Sequence, residues 1–317
     1  MDWLVSIYVA FFGAESVVAP EYLVMFVLIL AVVFVVRREK GSFWAWAFPR
    51  DVWLTRTAFA DLSFFTFNRV LGLLGLFSRL SVTPLVAFWA ASGVGAVDGG
   101  LLDLGPWGLA LVIFVTLDFA QYAIHRFFHN SPVFWPFHAV HHSASKLNPF
   151  TSYRSHPFFV LISSLYQSLV VGVVVGLVAG SVDGGLTLAE FGGANAFLVL
   201  SNILVSHLQH SHVWISFGPV LGRIFISPAQ HQVHHSVKPE HHNKNYGNTL
   251  AIWDWMFGTL YITGPQEAVV FGLDGKMDAP LMTQKFSKLL FDPFRRSGLT
   301  IKRRLTARAK TPSPGAD

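Results

Sequence analysis

Residues 107–142 read WGLALVIFVTLDFAQYAIHRFFHNSPVFWPFHAVHH. A mainly apolar run to Ile124 ends directly in His125-Arg126-Phe127-Phe128-His129, and His138-Ala139-Val140-His141-His142 follows. About 20 apolar residues let a helix cross a bilayer, so this stretch predicts a membrane span that delivers histidines to its end. A third block, His231-Gln232-Val233-His234-His235, lies further along the chain. The pattern is HxxxH, HxxHH, HxxHH. Positions i, i+3 and i+4 of a helix share a face, so each block can aim two or three imidazoles at one point. Neutral imidazole suits iron, zinc, copper and nickel. Eight such donors exceed the needs of one ion, which points to two. A heme-ligand pair, a proton relay and a pH-sensing cluster are the competing uses of such histidines.

The composition agrees with a membrane setting. Hydrophobic residues make up 52% of the 317 and charged residues only 13%, about half the share usual in a soluble domain. There is no cysteine, which excludes disulfides, thiolate metal sites, iron–sulfur clusters and cysteine nucleophiles. The first 21 residues hold Asp2, Glu15 and Glu21 and no Lys or Arg. A cleavable secretory signal, which starts with a basic segment, is therefore not expected.

Segments 22–36, 83–97, 107–124, 158–179 and 188–205 read as spans, and 59–80 as partly interfacial because it carries Asn68, Arg69 and Arg79. Segments 98–105 and 181–190 contain acids and no Lys or Arg, whereas 37–56, 126–154 and 223–244 all contain basic residues. By the positive-inside rule the first two face out and the others face the cytoplasm, of a bacterial inner membrane in the simplest case. All three histidine blocks then meet on one face. VDGGL occurs at 97–101 and again at 182–186, a weak hint of two related hairpins. The expected fold is all-α: an integral membrane helical bundle of about four or five spans plus interfacial helices, with a cytoplasmic helical cap carrying the dimetal site. It is one membrane domain over 1–317. Residues 22–205 hold the spans and the first two blocks, and 206–262 form the cap with the third block. Residues 226–257 read as short helices broken by Pro228, Pro239 and Gly247. Residues 295–317 are expected to be a basic, disordered tail. Its basic residues suit an anionic inner leaflet, or simply a solvated end.

Zinc hydrolases manage with three protein ligands and an open position. Four or more imidazoles per metal suit redox work better: two irons, with dioxygen, can oxidise an unactivated C–H bond of the kind a lipid chain supplies. The blocks resemble those of the fatty acid hydroxylase/sterol desaturase superfamily of membrane di-iron oxygenases. The likeness covers roughly 107–262. It includes the acidic residue and aromatic run from Asp118 into His125-Arg126, and the segment from His141 through Arg154-Ser155-His156-Pro157. It extends to His210-Ser211, Asn245-Tyr246-Gly247-Asn248, Trp253-Asp254 and Phe257-Gly258-Thr259.

The resemblance implies metal ligation by His125, His129, His138, His141, His142, His231, His234 and His235. A further ligand is expected from His210, with His207 one turn earlier on the same face. It also implies two iron ions, with zinc a possible substitute in purified protein. Asp118, seven residues before His125, is expected to accept from an imidazole and fix its tautomer. His156 is expected at a substrate mouth or in a structural role; His212 stands where the family more often has Asn. His241 and His242 read as a solvated loop. Arg126 and Arg154 read as head-group binders or snorkelling side chains.

The implied activity is hydroxylation or desaturation of a sterol, fatty acyl, alkylglycerol or carotenoid chain, using dioxygen and two electrons. No flavin or dinucleotide fingerprint is visible, so the electrons are expected from a reductase with a ferredoxin or a b-type cytochrome. The lipid substrate and the membrane are the other expected partners, nucleic acid is not one, and the oligomeric state stays open. A transition-metal transporter or sensor would place ionisable groups within the spans, but here they gather at one end. A zinc-dependent lipid hydrolase would want a carboxylate base beside the metal. The nearest acids are Asp118, Glu240 and Asp254.

Overall fold

The computed structural model describes residues 2–13, 16, 18–76, 82–94, 105–181, 196–197 and 199–309. Among these residues the architecture is helical, with two isolated β-bridges, Phe225 to Leu250 and Ser236 to Phe271. The elements used below are α1 (Asp2–Phe12), α2 (Pro20–Val36), α3 (Arg56–Leu73), α4 (Thr83–Val94), α5 (Gly105–Asn130), α6 (Trp135–His142), α7 (Pro157–Ser181), α8 (Pro228–His234) and α9 (Phe286–Ala309).

Among the described residues, two stretches are long and apolar enough to cross a membrane: Ala110–Asn130 in α5 and Pro157–Val178 in α7. The second is only 17% buried, the opposite of a soluble core helix. α5 does not stop at Ile124 but continues through both histidines of the first block. The 17-residue α2 coincides with 22–36 as an apolar helix, shorter than the two long stretches. The described part of 83–97 is the 12-residue α4. Most of 188–205 and both VDGGL segments lie outside the described residues.

α4 lies against α7 because α7 presents small residues there. A Cβ on Gly172 would stand 2.8 Å from the Val86 Cβ, and one on Gly176 2.7 Å from the Ala90 Cβ. Gly172 and Gly176 are four apart, the small-xxx-small spacing that lets helices approach closely in a bilayer. α5 packs against α7 through Ala110, Ile113, Val175 and Val178, and Ala87 of α4 joins the same cluster.

α6 sits over α3 and α9 through Ala139, Val140, Phe64, Ala60 and Leu289. Arg154 locks that junction and does not face a lipid head group, because its side chain is fully buried. It donates to Val140 O (2.8 Å), Ser143 Oγ (2.9 Å) and Asp61 Oδ1 (3.0 Å). Asp61 Oδ2 accepts from Asn148 and Thr151, so the ion pair is fully satisfied. α8 starts at Pro228 with a capping box: Ser227 Oγ accepts from the Gln230 amide, and the Gln230 side chain accepts from the Ser227 amide. Pro228 therefore opens the helix that carries the third histidine block.

The C-terminal segment differs from expectation. Residues 286–309 form one helix, where 295 onward reads as a disordered tail. The sequence KRRLTARA is rich in good helix formers.

Candidate metal centre

Nine of the ten expected ligands converge into two groups. His125, His129, His138, His142 and His234 form one, and His141, His210, His231 and His235 the other; within each group the donor atoms lie within 4.8 Å of one another. The two HxxHH blocks divide between them in opposite senses. In α6 the i, i+4 pair His138 and His142 joins the group of five, while His141 joins the group of four. In the third block the i, i+4 pair His231 and His235 joins the group of four, and His234 joins the five. Helix geometry causes this. Positions i and i+4 lie about 40° apart around the axis, while i+3 lies about 100° from i+4. One block thus serves two neighbouring centres.

The donors are oriented from behind. His125 Nδ1–H donates to the Tyr246 carbonyl and His234 Nδ1–H to the Lys244 carbonyl, each at 2.8 Å. Those bonds fix the Nδ1–H tautomer and turn the Nε2 lone pairs inward. The Nε2 atoms of His125, His129 and His234 are buried with no hydrogen-bond partner. In the group of four, His210 Nε2 lies 3.0 Å from His231 Nε2 and 3.2 Å from both His141 Nε2 and His235 Nε2. Converging buried lone pairs repel unless a cation sits between them, so these donors fit a metal in each group. Burial first, and neighbouring imidazoles second, hold His138, His142, His210 and His235 well below the usual histidine range. His141 falls to about 3, for the same leading reason. The rings therefore stay neutral at physiological pH and able to ligate. Among the described residues neither group includes a carboxylate.

The loop 243–248 does the positioning. Asn243 and Asn245 take positive φ (60° and 56°), which Asn tolerates better than most residues. Asn245 Nδ2 donates to Gln230 O, and its Oδ1 accepts from the Tyr261 amide. Gly247 has no room for a side chain, since a Cβ would meet Leu250 O at 2.5 Å. Asp254 accepts from the amides of Tyr246 (2.9 Å) and Gly247 (2.7 Å). The NYG and WD elements thus aim two carbonyls at two imidazoles, a role that the residue pattern alone does not reveal. Replacing Asp254 by Asn sets an amide NH₂ against one of those backbone donors. The expected result is a loss of about 10- to 100-fold in metal affinity at the group of five, read by competition with a chelator, with the group of four unaffected.

Two expectations are corrected here. His207 lies outside both groups, and its ring packs edge-on against Phe26 at 5.7 Å. The short helix His207–Gln209 ends at once, and His210 has φ −100° and ψ 62°, so the two rings do not share a helical face. Asp118 touches no imidazole. It accepts from the amides of Thr249 (3.0 Å) and Leu250 (3.1 Å) and from Trp253 Nε1 (2.9 Å). Seven residues of helix rise put it about 10 Å below His125, out of reach. It pins the 249–253 segment to α5 instead.

The remaining histidines have other partners. His156 Nε2–H donates to Leu290 O, and its Nδ1 accepts from the Phe158 amide, so it caps α7. His212 Nε2–H donates to Trp46 O. His241 is not solvated: it is buried against Tyr261 with Glu267 at 3.6 Å. His242 is exposed and donates to Val237 O. Arg126 donates to Tyr122 Oη and lies over the Phe257 ring.

Among the described residues, two of the cavities reach the grouped histidines. One of about 370 Å³ touches His129, His142 and His234 and is walled by Trp135, His242, Asp274 and Asp278. The other, about 190 Å³, touches His125, His138, His141, His210 and His231 and is walled by Gln121, Ser152, Ser155, Phe159, Gln209 and Asn248. Gln121 and Asn248 also border a further cavity of about 290 Å³ beside Leu117 and Gln167, between α5 and α7.

Residues 110–259 match the fatty acid hydroxylase family model. The chain is 30% identical over 200 residues to ornithine lipid hydroxylase OlsE of Rhizobium tropici, covering 62% of this chain and 54% of the relative. It is 28% identical over 177 residues to alkylglycerol monooxygenase of Caenorhabditis elegans, covering 53% and 30%. For the human alkylglycerol monooxygenase the figures are 30% over 162 residues, 50% and 32%. The matched part thus spans about half or less of these relatives. No solved structure matches the chain.

Proposed function

Because the chain belongs to the fatty acid hydroxylase superfamily, we propose that it is a membrane-bound di-iron oxygenase that hydroxylates a lipid. The single observation that carries this reading is the pair of buried, carboxylate-free histidine groups set side by side. His125, His129, His138, His142 and His234 hold one iron; His141, His210, His231 and His235 hold the other. Such a bound pair supplies the reduction of dioxygen by two electrons and the oxidation of a C–H bond. The overall balance is R–H, O₂, two electrons and two protons giving R–OH and water. The rest is work for the chain's own residues. Tyr246 and Lys244 carbonyls keep His125 and His234 in the ligating tautomer.

The substrate chain comes from between α5 and α7, past Gln121 and Asn248, to the smaller cavity. The larger cavity, with Asp274 and Asp278 in its wall, is the aqueous side on the cytoplasmic face. Electrons come from an external donor. The named relatives act on an ornithine lipid and on alkylglycerols, which favours hydroxylation over desaturation and a polar lipid over a sterol or carotenoid.

The test is lipid extraction after turnover of iron-loaded protein under ¹⁸O₂ with a chemical reductant. One ¹⁸O atom in a lipid product, absent without reductant, is the expected result. Lipid products that carry oxygen only from water would end the oxygenase reading.

A further inference from the structure

α9 carries an apolar stripe that stays largely exposed. Phe291, Phe294, Ile301 and Leu305 are 65%, 50%, 44% and 64% exposed. With Gly298 they recur at alternating intervals of three and four, which puts them on one helical face. The opposite face of the first half, Leu289, Asp292 and Arg296, is buried. Beside the stripe stand the exposed basic residues Lys288, Arg295, Lys302 and Arg304. The helix has one acid, Asp292, which is buried and paired with Arg295.

The place of the helix says what covers the stripe. His156, the residue before the spanning helix α7, donates to Leu290 O at 2.9 Å. Phe294 packs on Phe137 at 5.1 Å and on His156 at 5.2 Å. α9 is therefore fastened where a span leaves the bilayer. An apolar stripe rimmed by Lys and Arg at that level matches an anionic lipid surface, with the rings and aliphatic side chains below the head groups and the cations among them.

We propose that α9 is an interfacial helix whose Phe291–Leu305 stripe lies in an anionic membrane surface. This stands apart from the oxygenase reading, because it rests on no metal ligand. The absence of cysteine makes single-site spin labelling clean. Full-length Ile301→Cys and Leu305→Cys, with Arg303→Cys as the off-stripe control, are labelled and reconstituted in phosphatidylcholine vesicles with and without phosphatidylglycerol. With the anionic lipid present, collisions with oxygen should exceed those with a water-soluble nickel chelate at 301 and 305, and the order should reverse at 303. Removing phosphatidylglycerol should weaken the preference at 301 and 305.

Three results would overturn the proposal. One is equal accessibility at all three sites, which places the helix in water. Another is a preference that ignores the anionic lipid. The third is spin–spin broadening at 301 that vanishes on dilution with unlabelled protein, which makes a second copy the occupant.

Discussion

His141→Ala should reduce iron from about two to about one per chain and remove turnover. His141 is one of four donors in its group, so its loss leaves three, His210, His231 and His235. His234→Ala acts differently, because four imidazoles remain around its centre. That variant should keep metal in excess iron but bind it more weakly, by at least the roughly 100-fold that a mere supporting residue is worth. His207→Ala should keep both irons, since His207 packs on Phe26 outside either group. Elemental analysis across a chelator series separates the three variants. Equal loss from His141→Ala and His207→Ala would refute the division into groups.

The second large effect concerns stability. Asp61→Ala leaves the Arg154 guanidinium buried without its counter-charge, in a site where both side chains are fully inaccessible. Breaking a buried pair from one side typically costs about 3–5 kcal/mol. Tm in detergent should fall by on the order of 10 °C. Replacing both partners together, Asp61→Leu with Arg154→Met, should recover most of the loss, because no isolated charge remains. Metal content should follow folding and not the charge. Arg154 Nε holds Val140 O, one residue from His141, so a badly placed α6 would spoil both centres at once. A single variant as stable as the parent would mean that water reaches the pair.

Much of this architecture is legible in the residues. The spacing within each block gives its helical face, and the lack of cysteine leaves imidazole as the donor. The apolar runs give the two long helices. The allotment of donors to two centres is not legible, because it depends on α6 and α8 facing one another with opposite phase. His207 reads as a ligand only if the helix continues through His210, and a backbone break decides otherwise. Asp118 has the right angular position and the wrong height. Arg154 looks interfacial beside a span, yet Asp61, more than ninety residues away, buries it. The loop 243–248 works through carbonyl oxygens, which every residue has, so its amino acids reveal the turn and not its targets. Gly172 and Gly176, two small residues four apart in an apolar helix, carry a readable signal for close helix packing, and the structure supplies the partner, α4.

A transporter would use these histidines as a path, and a zinc hydrolase would need a free carboxylate beside them. Asp118 and Asp254 are both occupied by backbone amides, and the acids that border the larger cavity, Asp274 and Asp278, belong to neither histidine group. The donor set is instead two groups of imidazole nitrogens, with cavities that reach both.

The most direct test of this account is X-ray absorption at the iron edge of protein loaded with two irons per chain. Nine imidazoles shared between two irons average 9/2, or 4.5, per iron. The account predicts a nitrogen shell with the outer-ring scattering of four to five imidazoles per iron. A shell dominated by oxygen, with two or fewer imidazoles per iron, would contradict it.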